Sequence, residues 1–469
     1  MPGTGQLYAG ALRRGYLLVG ISAAIFLAAL TLAAARPLDS LLSVDGVRLL
    51  LAVLLVNAAL LAFRLFSILD AWRWGPGQVT TLTGLVLVAL LVVAAAPHVA
   101  AGYVAIRAYD VANAVFADDE PRDVLPADGI FLATAPVRDA DDELPRPLAE
   151  KPVRSPRIES RPLPGVRRVF LASKEPLEHR WVTILLLGSD NGPRQAGDRT
   201  DTMIVVALQR DTGRAVAFGV PRNLGNVPLG GVAAASVPRF PRMLNALYGW
   251  AAGTRPDLFP GGRDPGATAL KQAISTLLGI RVDYYAMVNL DGFVDVVDAL
   301  GGVRIHVKER LVDEVTRPAW GETKPRIDVY PGRVYRFTGR TALAYVRSRK
   351  ASSDYRRMAR QRCFLSALAD QLDARSVFRH FTSLAATVEK SVRTDIPLNR
   401  VPDLVRTVTA VDTGDTLTET FGPEYFAGRT SEQYPTPNLG KIRASVRDAI
   451  LNPERARQYH GLPSVQQAC

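Results

Sequence analysis

Three apolar blocks crowd the first hundred residues, and they limit what this chain can be more than any other feature. The first, Tyr16 to Ala35 (YLLVGISAAIFLAALTLAAA), has about the 20-residue length that carries an α-helix across a bilayer. A second runs from Val47 to Leu69 with Arg64 near its end, and a third from Val79 to about Ala101. Alone, the first block would also read as a cleavable signal peptide, because Ala33-Ala34-Ala35 resembles a small-residue cleavage site. Two more spans directly behind it favour a multi-pass membrane anchor, with transmembrane helices at about 16–35, 47–69 and 79–101.

Basic residues near span ends set the orientation. Arg13 and Arg14 precede the first span, and Arg64 and Arg73 bracket the short second loop. The first loop (Arg36, Asp39, Asp45, Arg48) is balanced. The N-terminus and second loop are therefore expected inside, and everything beyond about residue 107 outside. The formal net charge of +12 suits an anionic partner: nucleic acid, a lipid surface or a phosphorylated substrate. The topology argues against nucleic acid, and a DNA-binding regulator has only the net charge in its favour.

The chain divides into a membrane anchor (1–106), a Pro-rich spacer expected to be largely extended (107–179), and a globular domain with a C-terminal extension (180–469). The spacer is acidic around ADDEPRD and DADDEL, then basic around KPVRSPRIESRPLPGVRR, with few periodic apolar residues. The two cysteines, Cys363 and Cys469, offer neither a metal-ligand spacing nor a disulfide framework. They read as a core thiol and an incidental terminal one, with a single bridge left open if the domain is extracytoplasmic.

From Trp181 the pattern is that of a folded domain. VTILLLGSD reads as a buried strand and DRTDTMIVVAL as the next, with the loop NGPRQAG between them. If the two are antiparallel neighbours, Asp190 and Asp201 reach the same sheet edge. Facing carboxylates repel unless a proton or cation separates them, and hard oxygen ligands suit Mg²⁺; strand-end aspartates are also ordinary caps and turn formers. AVAFGVPRN reads as a strand ending in Arg222 and Asn223, ATALKQAISTLLGI as a helix, VDYYAMVNL as a strand, DGFVDVVDAL as a helix and GGVRIHV as a strand. This alternation predicts an α/β fold with a mixed central sheet.

The segment AYVRSRKASSDYRRMARQR, residues 344–362, crowds Arg and Lys around one acid, Asp354. TALAYVRSR fits a strand, in which Arg347 and Arg349 would share a face around an anion-sized gap. Guanidinium forks match phosphate oxygens. SDYRRMARQRCFLSALADQL then reads as a helix capped by Ser353 or Asp354. Met358, Leu365, Leu368 and Leu372 form its apolar stripe, with Gln361 inside it and Arg357 and Arg360 on its flank. Arg356, Arg362 and Lys350 are expected on a solvated basic face.

In order, LLLGSD, DRTDTM, VPRN, VDALGGV, LAYVRSR and DYRRMARQR resemble the motif series of the LytR-CpsA-Psr family, over about Trp181 to Leu372. The resemblance implies an extracytoplasmic α/β/α sandwich with an apolar channel for a prenyl chain. It also implies an enzyme transferring a glycopolymer from a polyprenyl diphosphate carrier to peptidoglycan through a phosphodiester. By the same resemblance, Asp190 and Asp201 match the carboxylates that bind Mg²⁺ or Mn²⁺. Arg199, Arg222, Arg347 and Arg349 match arginines that grip the diphosphate, with Arg357, Arg360 and Gln361 in the motif that follows. The family's Pro-Arg-Asp triplet stands here as Pro221-Arg222-Asn223, which keeps shape but loses a charge. That departure leaves open a degenerate, non-catalytic prenyl-phosphate binder; a pyrophosphohydrolase would differ only in using water as acceptor.

Overall fold

The structure is a computed structural model that describes residues 2–35, 46–74, 80–116, 127–128, 130–132, 181–190, 199–210, 212–314, 326–349, 353–371, 389 and 391–469. The spacer beyond residue 132, the loops 36–45, 75–79 and 191–198, and Lys350 lie outside the described residues.

The three apolar blocks fall on helices α1 (Leu12–Ala35), α2 (Gly46–Trp74) and α3 (Thr81–Val115). The stretches Leu50–Trp74 and Thr81–Val115 are long and apolar enough to cross a membrane. Leu55, Val86 and Val92 stand exposed along them, the pattern of helices long and apolar enough to lie in a bilayer. Polar groups in this region pair with one another. Asn57 Nδ2 donates to the His98 carbonyl (2.8 Å), and its Oδ1 meets His98 Nδ1 (2.8 Å). Arg14 pairs with Asp70 (3.2 Å).

Helix α3 outruns its apolar block. Residues 107–115, expected as extended spacer, are helical, because Ala108, Val111, Ala112 and Val115 repeat at helical spacing and lie half-buried or buried. Phe116 packs against the apolar cluster of Val182, Ile184 and Tyr284, so the helix end docks on the globular domain.

The domain is built on a six-stranded sheet: β1 (Trp181–Ser189), β2 (Thr200–Gln209), β3 (Ala215–Gly219), β4 (Tyr284–Asn289), β5 (Val392–Thr394) and β6 (Leu417–Thr420). Its spatial order is β5-β4-β1-β2-β3-β6. The sheet is mixed: β1 runs antiparallel to β2 and parallel to β4. Helices cover both faces: α4 (Leu247–Gly253), α5 (Pro265–Leu278), α6 (Leu290–Ala299), α7 (Gly339–Arg347), α8 (Asp354–Gln371) and α9 (Leu439–Leu451).

Strand alternation sorts the side chains of β1. Leu185 and Leu187 enter the main core with Leu270, Ile274 and Leu277 of α5 and Ile442 and Val446 of α9. Val182, Ile184 and Leu186 face the other way. Helix α5 begins at Asp264, whose Oδ1 accepts the Ala267 N–H (3.0 Å), and stops at Gly279 with φ of 72°, where a left-handed residue favours glycine. On the opposite face, α6, α7 and two antiparallel strand pairs, one nested in sequence within the other, share a smaller core around Val303, Ile305, Phe337, Leu343 and Phe364.

The stretch expected as a strand around Tyr345 is helix α7 instead. Ala342, Leu343 and Val346 form a buried stripe at helical spacing, and Ala342 N–H closes a turn on the Thr338 carbonyl (2.7 Å). A period of 3.6 therefore prevails over the period of two. Cys363 on α8 and Cys469 form a disulfide across 106 positions, which ties the chain's last residues to the arginine-bearing helix.

Candidate active site

Antiparallel pairing of β1 and β2 sets Ser189 opposite Thr200, so Asp190 and Asp201 emerge at one sheet edge. The Asp190 N–H donates to the Arg199 carbonyl (3.2 Å) and closes this end of the ladder. Gly188 permits the approach, since a Cβ there would lie 2.9 Å from the Thr202 side chain.

The two carboxylates differ in their surroundings. Burial, reinforced by the charge of Asp201, pushes the Asp190 carboxyl above the usual range, with Arg347 acting in the opposite sense. Burial acts on Asp201 as well, but hydrogen bonds from Arg222 and Asn245 and the charges of Arg222 and Arg357 outweigh it and hold that carboxyl low. Arg222 Nη1 donates to Asp201 Oδ1 at 2.7 Å and Asn245 Nδ2 to the same oxygen at 3.0 Å. Asp190 Oδ1 is buried and has no hydrogen-bond partner among the described residues.

Helix α8 brings the next layer. Arg357 donates to the Asp201 carbonyl (3.0 Å) and makes a two-pronged contact with Asp354 (3.1 and 3.0 Å). Asp354 in turn lies 3.8 Å from Arg222. Gln361 donates to Thr202 Oγ1 (2.9 Å) and the Val346 carbonyl (3.2 Å), joining α8 to β2 and α7.

Arg347 ends α7, and Ser348 turns the chain into extended backbone. Arg347 and Arg349 therefore reach the same cavity although they do not alternate on a strand. That cavity measures about 600 Å³. Its polar end carries Asp190, Asp201, Asp313, Arg222, Arg347, Arg349 and Arg357, and its walls are apolar, with Leu186, Ala286, Phe293, Leu343 and Leu368.

Three expected site residues stand elsewhere. Arg199 lines a neighbouring cleft, and Asn223 is not among the cavity's lining residues. Arg360 turns inward: its Nε donates to the Tyr345 carbonyl (3.0 Å) and its Nη2 to the Ser348 carbonyl. Arg356 is exposed, as expected, and pairs with Glu309 (2.9 Å). Arg362, expected on the wetted face, is 8% exposed. It donates to Thr420 Oγ1 of β6, and burial brings its guanidinium down to about 10. Packed against the sheet on one side and α7 on the other, α8 has little solvated face to offer.

Asn245 and Asp354 escaped the sequence reading. Asn245 carried no signal in the sequence, and Asp354 was read only as a cap. The signal for Asp354 was its place as the sole acid in the basic segment.

Among the described residues no group of three or more His, Cys, Asp or Glu is assembled as a metal site. Two carboxylates, one with a buried oxygen lacking a partner, fit a hard cation that completes its shell with phosphate oxygens.

Residues 167–442 match the LytR_cpsA_psr family. Curated proteins similar to this chain include two cell-wall proteins. The polyisoprenyl-teichoic acid–peptidoglycan teichoic acid transferase TagT of Bacillus subtilis is 27% identical over 50% of this chain and 66% of its own length. The cell wall biosynthesis protein LcpA of Corynebacterium glutamicum is 29% identical over 42% of this chain and 38% of its own. The matched segment thus spans less than two thirds of either relative. The crystal structure of B. subtilis TagV matches at 23% identity and a TM-score of 0.40, covering 57% of this chain and 96% of TagV.

Proposed function

The chain belongs to the LytR_cpsA_psr family, and on that premise we propose that it is a membrane-anchored phosphotransferase of the cell envelope. It transfers a glycopolymer from a polyprenyl diphosphate carrier to a peptidoglycan hydroxyl. One observation carries the proposal: three carboxylates and four arginines converge at the polar end of an otherwise apolar cavity, a shape that suits a diphosphate with a hydrocarbon tail. The relative TagT, named for transferring teichoic acid between a polyisoprenyl-linked form and peptidoglycan, has the same chemistry.

The prenyl chain lies along Leu186, Phe293, Leu343 and Leu368, and the diphosphate meets Arg222, Arg347, Arg349 and Arg357. The acceptor hydroxyl oxygen attacks the sugar-linked phosphorus. As that bond forms, the bridging P–O bond breaks and its electron pair leaves on polyprenyl phosphate, which takes up a proton in place of the one the hydroxyl lost. The arginines hold the phosphates in line and face the charge that develops on the leaving oxygens. Asp190 and Asp201 would hold Mg²⁺ or Mn²⁺, which when bound neutralises phosphate charge. Asp201, fixed by Arg222 and Asn245 and held at low pKa, is a weak base, so its part is positioning.

The basic residues flanking α1 to α3 orient the anchor with the catalytic domain outside, and the Cys363–Cys469 disulfide suits an oxidising compartment.

The test uses the full chain in vesicles with a labelled polyprenyl-diphosphate glycan and cell-wall acceptor. Wild type should release polyprenyl phosphate and label the acceptor, while Arg347→Ala keeps its fold and loses transfer. Full activity in Arg347→Ala would remove the assigned role. A second reading, a binder without turnover, is favoured by Asn223 in the Pro221-Arg222-Asn223 triplet. It predicts tight carrier binding with no polyprenyl phosphate released.

A further inference from the structure

Beside the main cavity lies a second cleft of about 540 Å³, lined by Arg199, Arg242, Gly249, Trp250, Gly253 and Thr254 among others. It abuts the reacting groups. The Arg199 carbonyl accepts the Asp190 N–H (3.2 Å). The helical turn that enters α4 carries Asn245, whose side chain holds Asp201 (3.0 Å), and Ala246, which lines the cleft.

The composition of the cleft is distinctive. Gly249 and Gly253 are four positions apart, so they bare one strip of α4. A Cβ at Gly253 would meet nothing within 4 Å, so the strip faces open space at that end, and both glycines line the cleft. Trp250 is half-buried and braced by Phe240 (5.3 Å between ring centroids) and Phe259 (6.1 Å), which leaves a fixed aromatic edge. Arg242 lies over Phe240 (5.7 Å). Arg199 and Arg242 are exposed, and no acid is paired with either among the described residues.

Resting on the function proposed above, we propose that this cleft is the acceptor subsite, and that it takes a glycan strand bearing carboxylate groups. A bare helical strip beside an aromatic edge accepts the flat face of a sugar ring, and the two guanidinium groups pair with its acidic substituents. The position fits the chemistry. In-line displacement needs the incoming hydroxyl on the side opposite the leaving prenyl phosphate. The apolar wall of Phe293 and Leu343 occupies one side of the carboxylates, and this cleft opens beyond Arg199 and Asn245.

The experiment measures calorimetric binding of two probes to the full chain in detergent. One probe is peptide-free peptidoglycan strands, which carry a carboxylate on alternate sugars; the other is neutral chitin oligomers of equal length. Wild type should bind the acidic strands, and Arg242→Gln should weaken them at least about tenfold, the loss of one charged hydrogen bond. The neutral oligomers should bind weakly and ignore Arg242→Gln. Trp250→Ala can disturb packing, so Gly253→Glu serves as the second variant. It fills the open strip with like charge and should abolish acidic-strand binding with an unchanged melting temperature. Equal binding of both probes, no binding by wild type, or indifference to both Arg242→Gln and Gly253→Glu overturns the assignment. Polyprenyl diphosphate binding is measured in parallel. Both variants should retain it, and its absence from wild type would fault the parent reading independently of the glycan result.

Discussion

Replacing Arg360 with leucine should destabilise the protein and weaken diphosphate binding without removing a ligand contact. Arg360 is 9% exposed, donates to the Tyr345 and Ser348 carbonyls, and lies over the Tyr345 ring (6.0 Å). Those carbonyls close the C-terminal end of α7, the turn that aims Arg347 and Arg349. Leucine leaves both without their donor, at about 1–3 kcal/mol each. Relief of the buried charge, already visible as a guanidinium lowered mainly by burial, returns part of this. A net loss of about 2–4 kcal/mol lowers the melting temperature of a domain this size by roughly 5–10 °C. Thermal unfolding of the full chain in detergent, with and without polyprenyl diphosphate, measures it. The ligand should recover part of the lost stability, and Arg360→Lys should lie between leucine and wild type. If Arg360→Leu melts like wild type yet fails to bind diphosphate, Arg360 touches the ligand and the positioning role is wrong.

Glu419 is buried in β6 and pushed up to about 7, chiefly by burial, with Ser445 and Tyr425 hydrogen bonds opposing. Its folded pKa thus exceeds the unfolded one, so its contribution to stability is fully present below about pH 4.5 and falls by about 3 kcal/mol as pH rises through 7; denaturant titrations between pH 5 and 8 should show that slope flattened in Glu419→Gln. Reducing the Cys363–Cys469 bridge, or replacing both residues with serine, should cost about 2–4 kcal/mol because it opens a loop of 106 positions, read as a drop in unfolding midpoint. Mn²⁺ binding followed by paramagnetic resonance should weaken at least about tenfold in Asp190→Asn, which removes a ligand charge; unchanged affinity would place the cation elsewhere.

The sequence reading located the sheet better than it located the arginines. β1, β2 and β4 are short apolar runs bounded by turn residues, and the antiparallel pairing of β1 with β2 follows from the short connection after Asp190. TALAYVRSR was ambiguous because tyrosine and valine favour strands while Ala342, Leu343 and Val346 also fit a helical stripe. Burial against Phe337 and Phe364 decided it. Arg362 was misjudged for a related reason. Helical phase indicates which side a residue faces, but only the fold reveals that β6 covers that side of α8. The cleft at α4 was not legible, because glycines within a helix give no signal until the space above them is known.

The crowding of charge has an electrostatic logic once each residue is placed. At the polar end of the cavity, Arg222, Arg347, Arg349 and Arg357 stand with Asp190, Asp201 and Asp313, and Asp354 lies behind Arg222 and Arg357, so four positive charges meet four negative ones. Arg222 and Arg357 hold Asp201 and Asp354 within 2.7–3.0 Å, so those pairs fix the frame of the site. Arg347 and Arg349 flank Ser348, whose hydroxyl donates to the Asp313 carboxylate (2.6 Å) in the same lining. There the C-terminal end of α7 favours cations, and Arg349 is exposed to an incoming ligand. A carboxylate in place of Asn223 would lie outside the cavity's lining and alter this balance only at a distance. The arginines of α8 therefore build the site, and the two that leave α7 supply the charge on which a diphosphate would settle.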